Sequence, residues 1–366
     1  EAYDAVTAEL EEDGGARICA STRHWLANEA FAQTARYDAA ISRWFSASYE
    51  DFPEHLAIAY EKVIDLSYGE NPHQRAALYA EAGARSHILS RVSKLHGRAL
   101  SFNNVLDLDS ARGLVGDFEQ PACVIVKHNN PCGCALGASG LEAYRRAFES
   151  DPMSAFGGVI AFNVPVDGEL ARALVGQFLE LVVAPGFDAE ALEALGAKPN
   201  VRVLENGERR RHAAVPEFRQ VLGGVLIQDR DIVLEERAQM TVVTERAPTE
   251  AEWTDLLFAW RVCRHVRSNA IVLARDGATV GIGAGQMSRV DSVRLAIEKS
   301  RLDSLAGSSL ASDAYFPFAD GPELAIAAGV SAIIQPGGSI RDADTIAAAD
   351  RAGVAMVATG RRHFRH

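Results

Sequence analysis

Basic charge is in short supply in this chain. Its 366 residues carry 37 Lys and Arg against 49 Asp and Glu, a formal net charge of −12. Sequence-independent nucleic-acid binding needs a positive field over the phosphates, so that class is disfavoured. An anionic ligand would have to be met by a local cluster of Arg and Lys. Long apolar runs are missing too. No stretch approaches the ~20 residues that span a bilayer, and the longest are short runs such as Val221 to Ile227. No signal peptide is visible, so no membrane partner is expected. Cysteine is scarce and odd in number: Cys19, Cys123, Cys132, Cys134 and Cys263. Most sit in apolar or glycine-rich surroundings, which points to a reducing compartment, the cytoplasm by default, rather than to a disulfide framework. Tandem repeats and low-complexity stretches do not stand out either. What is there is ordinary globular composition, 48% hydrophobic and 23% charged with 30 Gly and 13 Pro. That excludes disordered, collagen-like and coiled-coil readings. At roughly 100 to 200 residues per domain, two or three domains are expected.

The opening Glu-Ala-Tyr-Asp-Ala-Val reads as the inside of a helix, so the true start of the gene product is expected upstream and the chain is expected to be a fragment. In residues 1 to 48, Ala30, Tyr37, Ile41 and Trp44, with Phe31 and Phe45 beside them, recur at helical spacing and predict a buried helical face. This stretch is too short for a domain. It reads as an appendage, followed by a polar, aromatic linker from Ser46 to His55. From about Ala122 the pattern switches to short apolar strands alternating with amphipathic helices. Ala122 to Lys127 and Gly158 to Phe162 read as strands, and Leu141 to Ser150 as a helix. Near the end a helix from Pro322 stops at Gly329, Val330 to Gln335 is a strand, a helix covers Asp342 to Ala352, and Val354 to Thr359 is a strand. Such alternation predicts an α/β fold of βαβ units around a mostly parallel sheet, with ligand groups gathered at the carboxyl ends of strands. A boundary near residue 240 fits the charge-rich segment Gln228 to Thr249. The expected division is therefore 1–50, 51–240 and 241–366.

Three constellations are candidates for chemistry. In Lys127-His128-Asn129-Asn130-Pro131-Cys132-Gly133, a cation and an imidazole stand at a strand's carboxyl end. The imidazole titrates near neutrality and can move a proton, and the ammonium can stabilise charge developing in a transition state. The same residues also read as a turn leading into a helix, with Asn as cap and Pro as stiffener. Zinc deaminases use Pro-Cys-x-x-Cys with a His-x-Glu pair; here the spacing is Cys-x-Cys at Cys132 and Cys134, and Asn follows His128, so no zinc is expected. Second, Gly281-Ile-Gly-Ala-Gly-Gln-Met-Ser-Arg289 follows a strand-like Ala278-Thr-Val. Its amides suit an anion and Arg289 adds a forked donor. A dinucleotide fingerprint, however, needs Gly where Gln286 stands, and a tight structural turn is the simpler reading. Third, in Ala311 to Asp320, Tyr315, Phe316 and Phe318 surround Pro317. Aromatics can sandwich a flat heterocycle and an acid can bond its amidine-like edge; core packing is the competing reading. Smaller clusters at Tyr68 to Gln74, Ser101 to Asn104, Ser150 to Gly158, Val266 to Asn269 and Arg361 to His366 are each compatible with turns and caps. The run Glu208-Arg-Arg-Arg-His212 reads as a solvated loop face.

Taken in order, Tyr-Gly-Glu-Asn-Pro-His-Gln, Leu-Ser-Phe-Asn-Asn, Lys-His-Asn-Asn-Pro-Cys-Gly, Ser-Asp-Pro-Met-Ser-Ala-Phe-Gly-Gly, Arg-Ser-Asn-Ala-Ile, Gly-Ile-Gly-Ala-Gly-Gln-Met-Ser-Arg, Ser-Asp-Ala-Tyr-Phe-Pro-Phe, Gln-Pro-Gly-Gly-Ser and Arg-His-Phe-Arg-His resemble a known family. It is the formyltransferase portion of the bifunctional purine biosynthesis proteins, which carry 5-aminoimidazole-4-carboxamide ribonucleotide (AICAR) formyltransferase and IMP cyclohydrolase activities. The likeness runs from about Val63 to His366. Residues 1 to 48 resemble only the last helices of the family's cyclohydrolase domain. Residues 1–50 are thus expected to be a remnant of that domain plus a linker, and this chain alone is not expected to cyclise, although the full gene product is.

The resemblance implies two cytidine deaminase-like α/β halves with mixed, largely parallel sheets and no zinc. It also implies a homodimer with shared active sites, and transfer of a formyl group from 10-formyltetrahydrofolate to the 5-amino group of AICAR. Carried over by position, His128 is the base, Lys127 stabilises the oxyanion or protonates the departing folate nitrogen, and Asn269 orients the formyl oxygen. Tyr68, Gly157, Glu180, Arg289 and Arg362 hold the ribonucleotide, the two arginines reading its phosphate or carboxamide. Met153, Phe156, Gln286, Tyr315, Pro317 and Asp320 line the folate pocket, and a potassium ion lies near Asp313. Two positions depart from the family: Tyr315 stands where Phe is commoner, and Ser67 where Arg is common. A dinucleotide-dependent oxidoreductase and a non-catalytic nucleotide-binding sensor are the alternatives.

Overall fold

The computed structural model describes residues 2–12, 17–46, 52–83, 88–90, 92–207 and 216–366. They form two compact units, one of Glu1–Leu66 with His73–Ser90, the other of Ser67–Pro72 with Arg91–His366. The run from Glu208 to His212 and half of the expected linker, residues 47–51, lie outside the described residues.

The first unit holds the helices Tyr3–Glu12 and Ala20–Ser46 and an antiparallel hairpin, Tyr60–Leu66 with Ala76–Glu81. The long helix forms where the apolar spacing predicts one, but the expected buried face is corrected. No residue of it is buried, and Phe31 is 75% and Trp44 68% exposed. Helical spacing decides which side chains share a face; whether anything covers that face depends on other elements.

The second unit is built on one twelve-stranded mixed sheet, with a separate hairpin of Glu217–Val221 and Gly224–Gln228. The sheet consists of two halves of the same topology. In the first, Ala122–Lys127 and Asn130–Leu136 form a hairpin. Outside it lie Val159–Phe162, Leu181–Ala184 and Arg202–Asn206, parallel to one another, and then the antiparallel edge Val92–His96. In the second, the hairpin is Ile271–Arg275 with Ala278–Gly283, the parallel set is Ser309–Ser312, Ala332–Gln335 and Ala355–Ala358, and the edge is Thr241–Val242. The halves meet hairpin to hairpin, with Ala278 opposite Ala135. This is the mixed α/β fold with two halves that the sequence leads one to expect. Parallel strands need long crossovers and helices over both faces, which is why they read as short, fully apolar runs.

Behind each hairpin lies a helix, Gly140–Ser150 in the first half and Arg289–Lys299 in the second. Each passes very close to a strand glycine. A Cβ at Gly133 would stand 2.0 Å from the Ala147 carbonyl oxygen, and one at Gly281 2.1 Å from that of Ala296. The strand continues to Gly283, so the reading of Gly281 to Arg289 as an anion-cradling loop is corrected: Gly281 and Gly283 allow close helix–strand approach. Two core clusters follow the halves, one around Ile125, Ile160 and Val182, the other around Leu273, Leu310 and Ile333.

Candidate active site

Lys127 and His128 close the first hairpin. Lys127 pairs with Asn130, leaving His128 and Asn129 as a two-residue turn with φ of 54° and 63°, the pattern of a type I′ turn. The turn into a helix is therefore corrected, because the chain returns at once as a strand. Pro131 is tolerated there because it sits at the irregularity between Ile125 and Val126, where the ladder is broken. His128 is exposed and Lys127 half-buried, with Lys127 Nζ donating to the Phe156 carbonyl at 2.6 Å. Both line a cleft of about 410 Å³ together with Met153, Asp151 and Lys299. Lys299 is paired with Asp151 at 2.8 Å. Burial, with the Asp151 charge adding to it, pushes the Cys132 thiol up to about 12, so Cys132 is an apolar part of the wall rather than a thiolate. Cys134 is raised as well, again by burial. Among the described residues, no group of three or more His, Cys, Asp or Glu is gathered that could hold a metal ion.

A second cavity, of about 470 Å³, is lined by Ser67, Tyr68, Arg98, Phe178, Glu180 and Arg202 among others. Glu180 is ion-paired with Arg202, and the Tyr68 carbonyl accepts the Phe102 N–H at 3.0 Å. That bond ties the cavity to the first turn of the helix Phe102–Gly116, whose start is fixed by reciprocal caps between Ser101 and Asn104. Phe178 packs on Phe156 with ring centroids 5.1 Å apart, and its carbonyl accepts the Gly157 N–H at 2.8 Å. Phe156 therefore touches Lys127 on one side and, through Phe178, the Tyr68 cavity on the other. Gly157 has φ of 76°, a conformation side chains rarely adopt.

Asn269, Gln286, Arg289, Tyr315, Pro317, Asp320 and Arg362 line neither cavity. Asn269 Nδ2 donates to the Gln286 carbonyl at 2.9 Å and to that of Met287 at 3.3 Å, and Oδ1 accepts from Arg289 Nη2 at 2.7 Å. Arg289, expected to read a phosphate or carboxamide, is 7% exposed. Its Nη1 donates to Ser312 Oγ at 2.9 Å and to Asp313 Oδ1 at 2.5 Å. In this structure the guanidinium neutralises a fully buried carboxylate and anchors Asn269. Tyr315, Pro317 and Asp320 are exposed, whereas Phe316 is buried at 1%, so the aromatic segment is divided between core and surface. Arg362 lies over the Phe364 ring at 4.6 Å. The two sets are linked through Asn130, whose Oδ1 accepts the Arg267 N–H at 2.9 Å.

Residues 1–299 match the family described as the AICARFT/IMPCHase bienzyme. The chain belongs to that family. Among the relatives of this bienzyme, the bifunctional purine biosynthesis proteins PurH of Anaeromyxobacter sp. (strain K) and Anaeromyxobacter dehalogenans (strain 2CP-1) are each 52% identical over 379 residues, a match that covers 100% of this chain and 72% of the relative. That of Anaeromyxobacter sp. (strain Fw109-5) is 50% identical over the same shares. The family resemblance drawn from the motifs thus extends over the whole chain, including residues 1 to 48. Among the described residues, no helix is long and apolar enough to cross a membrane.

The candidate site also holds residues that sequence reasoning missed. Arg98 and Arg202 line the Tyr68 cavity, and Asp107 contacts the His128 turn. Arg98 stands two residues before Leu100, the start of the Leu-Ser-Phe-Asn-Asn motif, and was legible as its neighbour. Arg202 and Asp107 act on partners 22 and 22 residues away, a separation that no local pattern reveals.

Proposed function

We propose that this chain transfers a formyl group from 10-formyltetrahydrofolate to the 5-amino group of AICAR. The observation that carries this reading is the pair Lys127 and His128 at the head of a cleft, joined through Phe156 and Phe178 to a second cavity that holds Tyr68, Glu180 and two arginines. The acceptor amine is conjugated to a carboxamide and is a poor nucleophile, so its proton must leave as attack occurs. His128 takes that proton. Lys127, whose ammonium is already aimed by the Phe156 carbonyl, stabilises the tetrahedral oxyanion or protonates the departing folate nitrogen. Asn269 is held on both amide atoms, and we assign it the orienting of the formyl oxygen, its 3.3 Å bond to Met287 being the one it gives up.

We assign Tyr68, Gly157, Glu180, Arg289 and Arg362 to the ribonucleotide, and Met153, Phe156, Gln286, Tyr315, Pro317 and Asp320 to the folate. Of the folate set only Met153 lines either of these cavities, which supports a homodimer whose shared sites are completed by a second copy. Residues 1–50 are proposed as the end of the cyclohydrolase domain with its linker, 51–240 and 241–366 as the two formyltransferase halves, and the cytoplasm as the compartment. Potassium near Asp313 fits poorly. One Asp313 oxygen binds Arg289, the other accepts from Ser268 Oγ, and its carbonyl accepts the His363 N–H at 3.0 Å. The charge is compensated in place, and no step is routed through an ion there. The dinucleotide alternative loses its main feature, since Gly281 and Gly283 lie inside a strand.

Purified protein given both substrates should form tetrahydrofolate. His128→Ala should lower kcat by about 10²- to 10⁴-fold while ribonucleotide affinity is largely kept. Turnover retained in that variant removes His128 from the base role, and saturable NAD(P) binding without formyl transfer overturns the reading as a whole.

A further inference from the structure

Two successive non-glycine residues with positive φ, His128 and Asn129, cost free energy that the surroundings must offset. The helix Phe102–Gly116 supplies the restraint. Asp107 Oδ1 accepts the Asn129 N–H at 2.7 Å, Ser110 Oγ donates to Asn129 Oδ1, and Arg365 Nη2 donates to Ser110 Oγ at 3.2 Å. We propose that Asp107 is a positioning residue for formyl transfer, holding the turn that carries His128 without touching either substrate. Burial raises the Asp107 carboxyl, while the amides of Asn129 and His128 and the His128 ring favour its ionised form.

The second half contains the same device without the chemistry. Asp255, on the helix Glu250–Cys263, accepts the Asp276 N–H at 2.9 Å and the Gly277 N–H at 2.8 Å. These two residues form the equivalent hairpin turn, with φ of 54° and 71°. The carboxylate-held turn is thus a structural feature of both halves. In the first half the held residue is the one assigned as base, so the position of a carboxylate oxygen sets where the imidazole stands.

This inference rests on the reading of His128 as base, and three variants test it. Asp107→Asn keeps an acceptor oxygen in place, and kcat should stay within about threefold of wild type. Asp107→Glu keeps the charge but displaces the oxygen. It should lower kcat by about 10- to 100-fold, leave the KM for AICAR within about threefold, and speed hydrogen exchange at the Asn129 amide. Asp255→Glu should lower the melting temperature to a similar extent and leave kcat within about twofold. Asp107→Glu with wild-type kcat overturns the proposal. So does a loss in Asp107→Asn as large as in Asp107→Glu, which would mean that charge rather than position matters. Equal losses of kcat in the Asp107→Glu and Asp255→Glu variants also overturn it, in favour of a purely structural role. Absence of formyl transfer by the wild-type protein instead refutes the functional reading, and this inference with it.

Discussion

The hairpin turns at His128-Asn129 and Asp276-Gly277 share backbone shape, a restraining aspartate on a neighbouring helix, and a place in one half of the sheet, yet their residues differ in kind. Asp-Gly is what a type I′ turn favours, because glycine adopts positive φ without steric cost. His-Asn gains nothing locally from that geometry. Non-glycine residues at positive φ that are held by several long-range bonds point to a functional demand on the turn. Here it lifts an imidazole clear of the sheet beside Lys127. Replacing His128 and Asn129 together by Asp and Gly should make the halves alike. Turnover should fall by about 10²- to 10⁴-fold, while the unfolding free energy rises by about 1 kcal/mol as the φ strain is relieved. The reverse change, Asp276→His with Gly277→Asn, should lower stability by a similar amount and leave kcat alone. Denaturant titration with parallel steady-state assays checks both, and stabilisation without loss of turnover breaks the contrast.

The same comparison explains what was legible in the sequence. Strands buried on both faces, such as Ala122–Lys127 and Ala332–Gln335, announce themselves as apolar runs, and helix ends are punctuated by Gly329 and Gly353, both with positive φ. The candidate site is legible through family motifs more than through local pattern. Physical reading alone leaves a helix start open at the His128 turn, because an Asn-Asn-Pro string caps helices as readily as it closes and follows a hairpin. It took Gly281 and Gly283 for a loop, because a glycine under a helix and a glycine around an anion look alike in sequence. Asp107 was silent because its contribution is one bond to a distant backbone amide.

A smaller expected effect concerns the two glycines under the helices. Because the clash at Gly133 nearly matches that at Gly281, Gly133→Ala and Gly281→Ala should each cost about 1–3 kcal/mol. The two values should agree within about 1 kcal/mol. A substitution tolerated in one half but not the other would mean that the halves share a topology but not their packing.

The subtlest contrast lies between two buried histidines. His265 is kept neutral, its pKa lowered to about 4 by burial against the opposing pull of Asp117, to which Nε2 bonds at 2.8 Å. Burial acts on His363 in the same direction, but Asp231 and Glu235 outweigh it and its pKa is raised. Glu235, bonded to His363 Nε2 and Trp260 Nε1 at 3.0 Å each, is in turn held at about 2 by those bonds, against its own burial. His363 therefore contributes stability fully below its usual value of 6.5 and loses it as pH rises through the raised folded value. Glu235 contributes above its usual 4.5 and fails only as pH falls towards 2. The tail should be clasped most firmly between about pH 4.5 and 6.5. Melting temperatures should decline above that window in the wild type and flatten in His363→Gln. Since His265 titrates near 4, His265→Gln should leave the decline unchanged; a decline that vanishes with His265 instead of His363 would reverse the assignment of charge between them.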